Sequence, residues 1–155
     1  MKVLIIDNNI DEPWPLGRDF RRYVPEGMQI EVRRGPQQDL PKNLSPYSHV
    51  LLSGSKTSCL DTSPWVESLI SFIHDASNQG SAILGICFGH QIVARAFGGV
   101  KTVRKSATPE IGWIEVAIKN EGNPLFKGLT SKFHSFQLHF DEVASLPPEL
   151  INVAQ

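Results

Sequence analysis

Two cysteines, no long apolar run and a net charge of −1 limit what this 155-residue chain can be. With only two cysteines a reducing compartment is the default, and there a free thiol with a task is expected rather than a disulfide. A charge so close to zero provides no field to hold nucleic acid or an anionic membrane at long range. Arg21-Arg22 and Arg33-Arg34 are short clusters and read as solvated faces. No apolar stretch approaches the roughly 20 residues that cross a bilayer. The N-terminus is no secretory segment either, because Val3-Leu4-Ile5-Ile6 is halted at once by Asp7. No two histidines or cysteines show ligand spacing on one element, so neither a metal nor another cofactor is expected. These absences point to a cytoplasmic protein with no nucleic-acid and no membrane partner.

What is present is an ordinary globular balance, 41% apolar and 20% charged. The length favours one domain, 1–155, able to hide roughly 68–70% of its unfolded surface. Val3–Ile6, Val50–Leu52 and Ala82–Ile86 are continuous apolar runs that read as buried strands. Leu16, Phe20, Tyr23 and Val24 recur at helical spacing until Pro25-Glu26-Gly27 stops them. Ser63-Pro64 predicts a helix start, with Trp65, Leu69, Phe72, Ile73 and Ala76 on its apolar face. Another helix is expected from Phe88 to Phe97, ended by Gly98-Gly99. The order implies an α/β, flavodoxin-like fold: a mostly parallel sheet with helices on both faces. After Gly99, Trp113–Ile118 alternates in the manner of an antiparallel or edge strand, and Phe133–Leu138 reads as another extended piece. Leu150–Gln155 opens a further strand pattern, so the domain is expected to be incomplete at its C-terminus.

Chemistry concentrates at Gly85-Ile86-Cys87-Phe88-Gly89-His90-Gln91. A strand runs into a cysteine and a helix follows directly, the arrangement of a nucleophile elbow. The helix N-terminus contributes partial positive charge and unpaired N–H groups beside the sulfur, which favours the attacking thiolate. A lone cysteine after a strand would more often be a core residue. The flanking glycines and the His-Gln that follows tip the reading to a reactive thiol. Cys59 has no such glycines and reads as inert. His49 and His74 adjoin apolar residues and read as partly buried.

This segment resembles the signature of class I glutamine amidotransferases. Ser53-Gly54-Ser55 is similar to that family's oxyanion loop, usually Ser-Gly-Gly. His134-Ser135-Phe136-Gln137, then Asp141-Glu142-Val143 with Leu146-Pro147, resembles the stretch before its last strands. The resemblance implies that Cys87 attacks the side-chain amide of glutamine, releasing ammonia through a glutamyl thioester. It further implies oxyanion donors at Gly54, Ser55 and Phe88, and substrate contacts from Gln91, Ser135 and Phe136. The implied ligand is glutamine or a γ-glutamyl compound, and the ammonia either passes to an acceptor on a separate synthetase subunit or is released by hydrolysis alone.

Two departures stand out. Ser55 replaces a glycine, and a side chain restricts positive φ. No histidine is followed two places on by glutamate, so the family's His-x-Glu pair is expected beyond Gln155. His139-Phe140-Asp141 has that spacing in a different place and is a weaker candidate for the base. The competing readings are a γ-glutamyl hydrolase of the same fold and a non-catalytic relative that binds a partner or metabolite.

Overall fold

A computed structural model describes residues 1–155, the exposure of Gly17 excepted. Its centre is a parallel sheet of β1 (Lys2–Asp7), β2 (Gln29–Arg34), β3 (Tyr47–Leu52) and β4 (Ala82–Gly85), ordered β2-β1-β3-β4. Parallel neighbours cannot be joined by a tight hairpin. The connections here carry α1 (Leu16–Asp19) with a 3₁₀ turn at Arg21–Tyr23, and α2 (Pro64–Asn78). The chain then leaves β4 for α3 (Phe88–Gly98).

Residues of a strand alternate between its two faces, so a run apolar at every position needs cover on both. Leu4, Ile6, Val50 and Leu52 pack with Val66, Leu69 and Ile73 of α2 and with Phe88 and Ile92 of α3. Val3, Ile5 and Leu51 face the other way, against Leu16 and the half-buried Phe20 and Val24. Each fully buried aliphatic side chain contributes about 1.5–3 kcal/mol, so α2 and α3 carry most of the sheet's cover.

Four details depart from the sequence reading. The first helix is one short turn continued by a 3₁₀ turn, and Tyr23 is exposed. β4 is an edge strand rather than a buried one: Leu84 is 56% exposed, because α1 packs on β1 and β2 and does not reach it. Ser63 occupies the N-cap of α2, but its hydroxyl makes no capping bond. His49 and His74 are exposed, His49 meeting Ser48 and His74 lying edge-on to Phe97.

β5 (Val103–Ala117) and β6 (Lys132–Val143) form a separate antiparallel ribbon, with a register shift between Lys105 and Glu110. The final residues touch its open end, where Ala117 and Gln155 exchange backbone hydrogen bonds. No helix of the described residues is long and apolar enough to cross a membrane.

Candidate active site

The turn from β4 into α3 sets the position of Cys87. Its backbone has φ 52° and ψ −113°, a conformation that costs an L-residue energy and persists only where the surroundings enforce it. Two glycines enforce it by allowing close approach. A Cβ at Gly85 would stand 2.5 Å from the carbonyl of Gly89, and a Cβ at Gly89 would strike the backbone of Leu52. The helix can therefore begin hard against the ends of β3 and β4. Ile86 N–H donates to Leu52 O at 3.0 Å and Gly89 N–H to Ile86 O at 2.9 Å, closing the turn. Cys87 is left exposed at the C-terminal end of a parallel strand, where open α/β sheets place ligands.

The loop after β3 comes up beside it. A Cβ at Gly54 would lie 3.5 Å from the Cys87 Cβ. Ser53 is buried and holds the loop from below: its hydroxyl accepts Asn8 N–H at 2.9 Å and donates to Gly54 O at 2.9 Å. With Gly54 O held, the trans peptide turns the Ser55 N–H the opposite way. Ser55 does not have positive φ, and its hydroxyl accepts the Thr57 N–H at 3.0 Å. Among the described residues, the N–H groups of Gly54, Ser55 and Phe88 donate to no protein acceptor. These three N–H groups are thus unpaired on the elbow and on the loop beside it.

A cleft of about 310 Å³ opens over Cys87, walled by the 55–58 loop, Gln91, Lys105 and the Leu138–Asp141 part of β6. Ser135 and Phe136 do not line it. They lie farther along β6, paired with Ile114 and Trp113, and Phe136 meets the Trp113 ring edge-on at 5.9 Å. Gln91 is buried and donates from Nε2 to Asp141 O at 2.7 Å, so that amide group holds the ribbon. His139, the weaker candidate for the base, does line the cleft, whereas Lys105, Leu138, Phe140 and Asp141 are cleft residues to which the sequence reading gave no role. Their one signal is that Asp141-Glu142-Val143 interrupts an apolar alternation.

His139 shares the cleft, with Nε2 3.0 Å from Glu110 Oε2 and Nδ1 buried without a partner. His90 keeps an exposed edge, yet the surrounding protein, and next the charge of His139, hold its imidazole below its ordinary value. Cys59 is fully buried, and burial, then the Asp141 charge, push its thiol up to about 12. A larger hollow of about 470 Å³ beneath the 126–131 turn contains neither cysteine nor histidine.

Residues 19–155 match the family described as glutamine amidotransferase class-I. Over 146 residues the chain is 32% identical to a glutamine-hydrolysing GMP synthase subunit of Pyrococcus abyssi, covering 94% of this chain and 72% of that one. It is 31% identical over 128 residues to gamma-glutamyl peptidase 4 of Arabidopsis thaliana, spanning 79% of this chain and only 51% of the plant protein. The crystal structure of a glutamine amidotransferase from Methylobacillus flagellatus superposes with a TM-score of 0.81 at 28% identity, over 99% of this chain and 60% of that one. With the elbow cysteine, the sheet order and these likenesses in agreement, the chain belongs to the class I glutamine amidotransferase family.

Proposed function

We propose that this chain carries the glutamine-hydrolysing chemistry of its family, with Cys87 as the nucleophile. The observation that carries the reading is the strained Cys87 backbone, which holds an exposed sulfur between a helix N-terminus and the Gly54-Ser55 loop. The thiolate adds to the side-chain amide carbon of glutamine, and the carbonyl oxygen becomes an oxyanion facing the N–H groups of Gly54, Ser55 and Phe88. One such donor is worth about 2.7–4 kcal/mol of barrier. Collapse expels ammonia, which takes up a proton as it leaves, and water then cleaves the glutamyl thioester. Proton delivery and water activation call for a histidine, which the family draws from a His-x-Glu pair on a strand proposed to lie beyond Gln155. A separate synthetase subunit is the proposed acceptor of the ammonia. Gln91, Ser135 and Phe136 remain proposed contacts to the amino-acid end, and the last two would have to act from outside the Cys87 cleft.

The likeness to a γ-glutamyl peptidase favours a second reading, in which the same thioester forms from a γ-glutamyl amide and an amine leaves in place of ammonia. Intact-mass measurement of the glutamyl-enzyme adduct on Cys87 separates the two. Faster acylation by free glutamine supports the first reading, and faster acylation by γ-glutamyl amines supports the second. No adduct from either, with unmodified Cys87, would remove both.

A further inference from the structure

The residue that ties the cleft together is not on the elbow. Asp141, on β6, is buried, and its carboxylate reaches the loop that continues from Gly54-Ser55. Oδ2 accepts the Ser58 hydroxyl at 2.6 Å and the Cys59 N–H at 2.9 Å. Its backbone carbonyl accepts Gln91 Nε2 of the elbow helix. Lys105, its cross-strand partner on β5, places Nζ 2.8 Å from Oδ1, an ion pair that lies off the line of a hydrogen bond. Thus one residue joins the ribbon, the elbow helix and the loop bearing the oxyanion donors.

A second clamp acts on the same loop from the other side. Arg95 of α3 is buried and donates from one guanidinium nitrogen to the carbonyls of Cys59 and Asp61, both at 2.7 Å. Its other terminal nitrogen meets Glu67 of α2. Residues 58–61 are thereby held at both polarities, N–H and O–H by Asp141 and C=O by Arg95. The part of the loop between, Gly54–Thr57, runs from Ser53 to this anchor; its other ties are the Ser53 hydroxyl on Gly54 O and an exposed Lys56–Asp11 ion pair at 2.6 Å.

We propose that Asp141 is a positioning residue for the reaction at Cys87, setting the 54–57 loop and the β6 wall against the sulfur without touching the substrate's reacting atoms. The inference rests on the nucleophile reading of Cys87. It predicts a defect specific to ligands that use the loop. A misplacement of about 1 Å costs roughly 10²-fold in a reaction that depends on position, whereas a small neutral thiol reagent needs only the exposed sulfur.

The experiment labels the full chain at Cys87 with a chloroketone analogue of glutamine and, separately, with iodoacetamide, resolving maximal rate from half-saturating concentration. For Asp141→Ala the maximal rate with the analogue is expected to fall roughly 10²-fold while the iodoacetamide rate stays near that of the unmodified protein. Ser58→Ala, which leaves the carboxylate in place, should show a smaller loss of the same kind, and Asp141→Asn should fall between. Should Asp141→Ala fail to fold, the other two variants decide. Unchanged analogue rates in the folded variants, or equal losses with both reagents, would overturn the positioning role. Wild-type labelling that never saturates with the analogue would instead remove the nucleophile reading, and this inference with it.

Discussion

The Cys87 thiol donates to the carbonyl oxygen of Leu138 at 3.9 Å, a contact across 51 positions of sequence. The ribbon is therefore part of the surroundings of an otherwise exposed Cys87. Cys59 lies under the same wall, fully buried, with its thiol pushed up to about 12.

This contrast predicts selective alkylation. At pH 8 the folded protein should take up one equivalent of iodoacetamide, at Cys87, and a second only after unfolding. Peptide mass spectrometry checks it, and Cys87→Ala should remove the fast equivalent. Comparable labelling of both thiols in the native state would show that Cys59 is not sheltered by the fold.

The elbow glycines should be intolerant of even one methyl group. Gly89→Ala places a Cβ into the Leu52 backbone, which cannot yield as a flexible side chain would. Overpacking of this kind costs about 1–3 kcal/mol, more where backbone must move. Urea unfolding should show a lower midpoint at unchanged slope. A variant as stable as the parent would mean that the helix does not start as tightly against β3 as the structure has it.

The sequence was informative where chemistry is local and silent where it depends on register. A cysteine between two glycines at a strand-to-helix junction needs no distant partner to be understood, so the elbow was legible. Ala82–Ile86 misled because an apolar run looks alike in a central strand and in an edge strand whose face lacks cover; exposure of Leu84 is a property of its neighbours. The ribbon was harder still. Which part of β6 reaches the cleft depends on the irregularity between Lys105 and Glu110, and no pattern in Phe133–Leu138 announces that the contact falls at Leu138–Asp141. Asp141 stood in a stretch that resembles the family, but its own role was not legible, because Lys105 and Ser58 become its neighbours only after folding.

Acid stability should report on that carboxylate. Burial alone would raise the Asp141 carboxyl, but Lys105, the Ser58 hydroxyl and the Cys59 N–H outweigh it and hold it below the ordinary value. A depressed folded value means that the contribution is present above the unfolded value near 3.9 and fades as pH falls through the folded one. Hydrogen bonds to a charged group are worth about 1.5–3 kcal/mol. Asp141→Asn should therefore lose stability of that order at pH 7 and show a shallower decline below pH 4 than the parent. Parallel pH–stability curves for the two proteins would contradict the shift.

Ser55 invites a gain-of-function test. Its hydroxyl pins the loop through Thr57 N–H and its backbone is outside the positive-φ region. Ser55→Gly releases that bond and admits the conformation a glycine adopts freely. Acylation of Cys87 by glutamine should accelerate, by at most the roughly 10²–10³-fold that one oxyanion donor supplies. A slower reaction would show that the serine-pinned loop is already the competent one.

His139 decides whether the described chain holds its own base. It lies in the Cys87 cleft with Glu110 at 3.0 Å from Nε2, a histidine–carboxylate pairing that could orient a general base. Against that role, the other ring nitrogen, Nδ1, is buried with no partner, the sulfur included. The thiol's contact on β6 is instead the Leu138 carbonyl. His139 therefore reads as part of the wall, held by Glu110 and pressing electrostatically on His90. His139→Gln, which retains a polar side chain of similar reach, should slow acylation by glutamine less than tenfold, whereas removing a working general base costs about 10²–10⁴-fold. The measurement is the single-turnover rate of adduct formation between pH 5 and 9 in both proteins. A loss within the larger range, reproduced by Glu110→Gln, would make Cys87, His139 and Glu110 a triad in their own right.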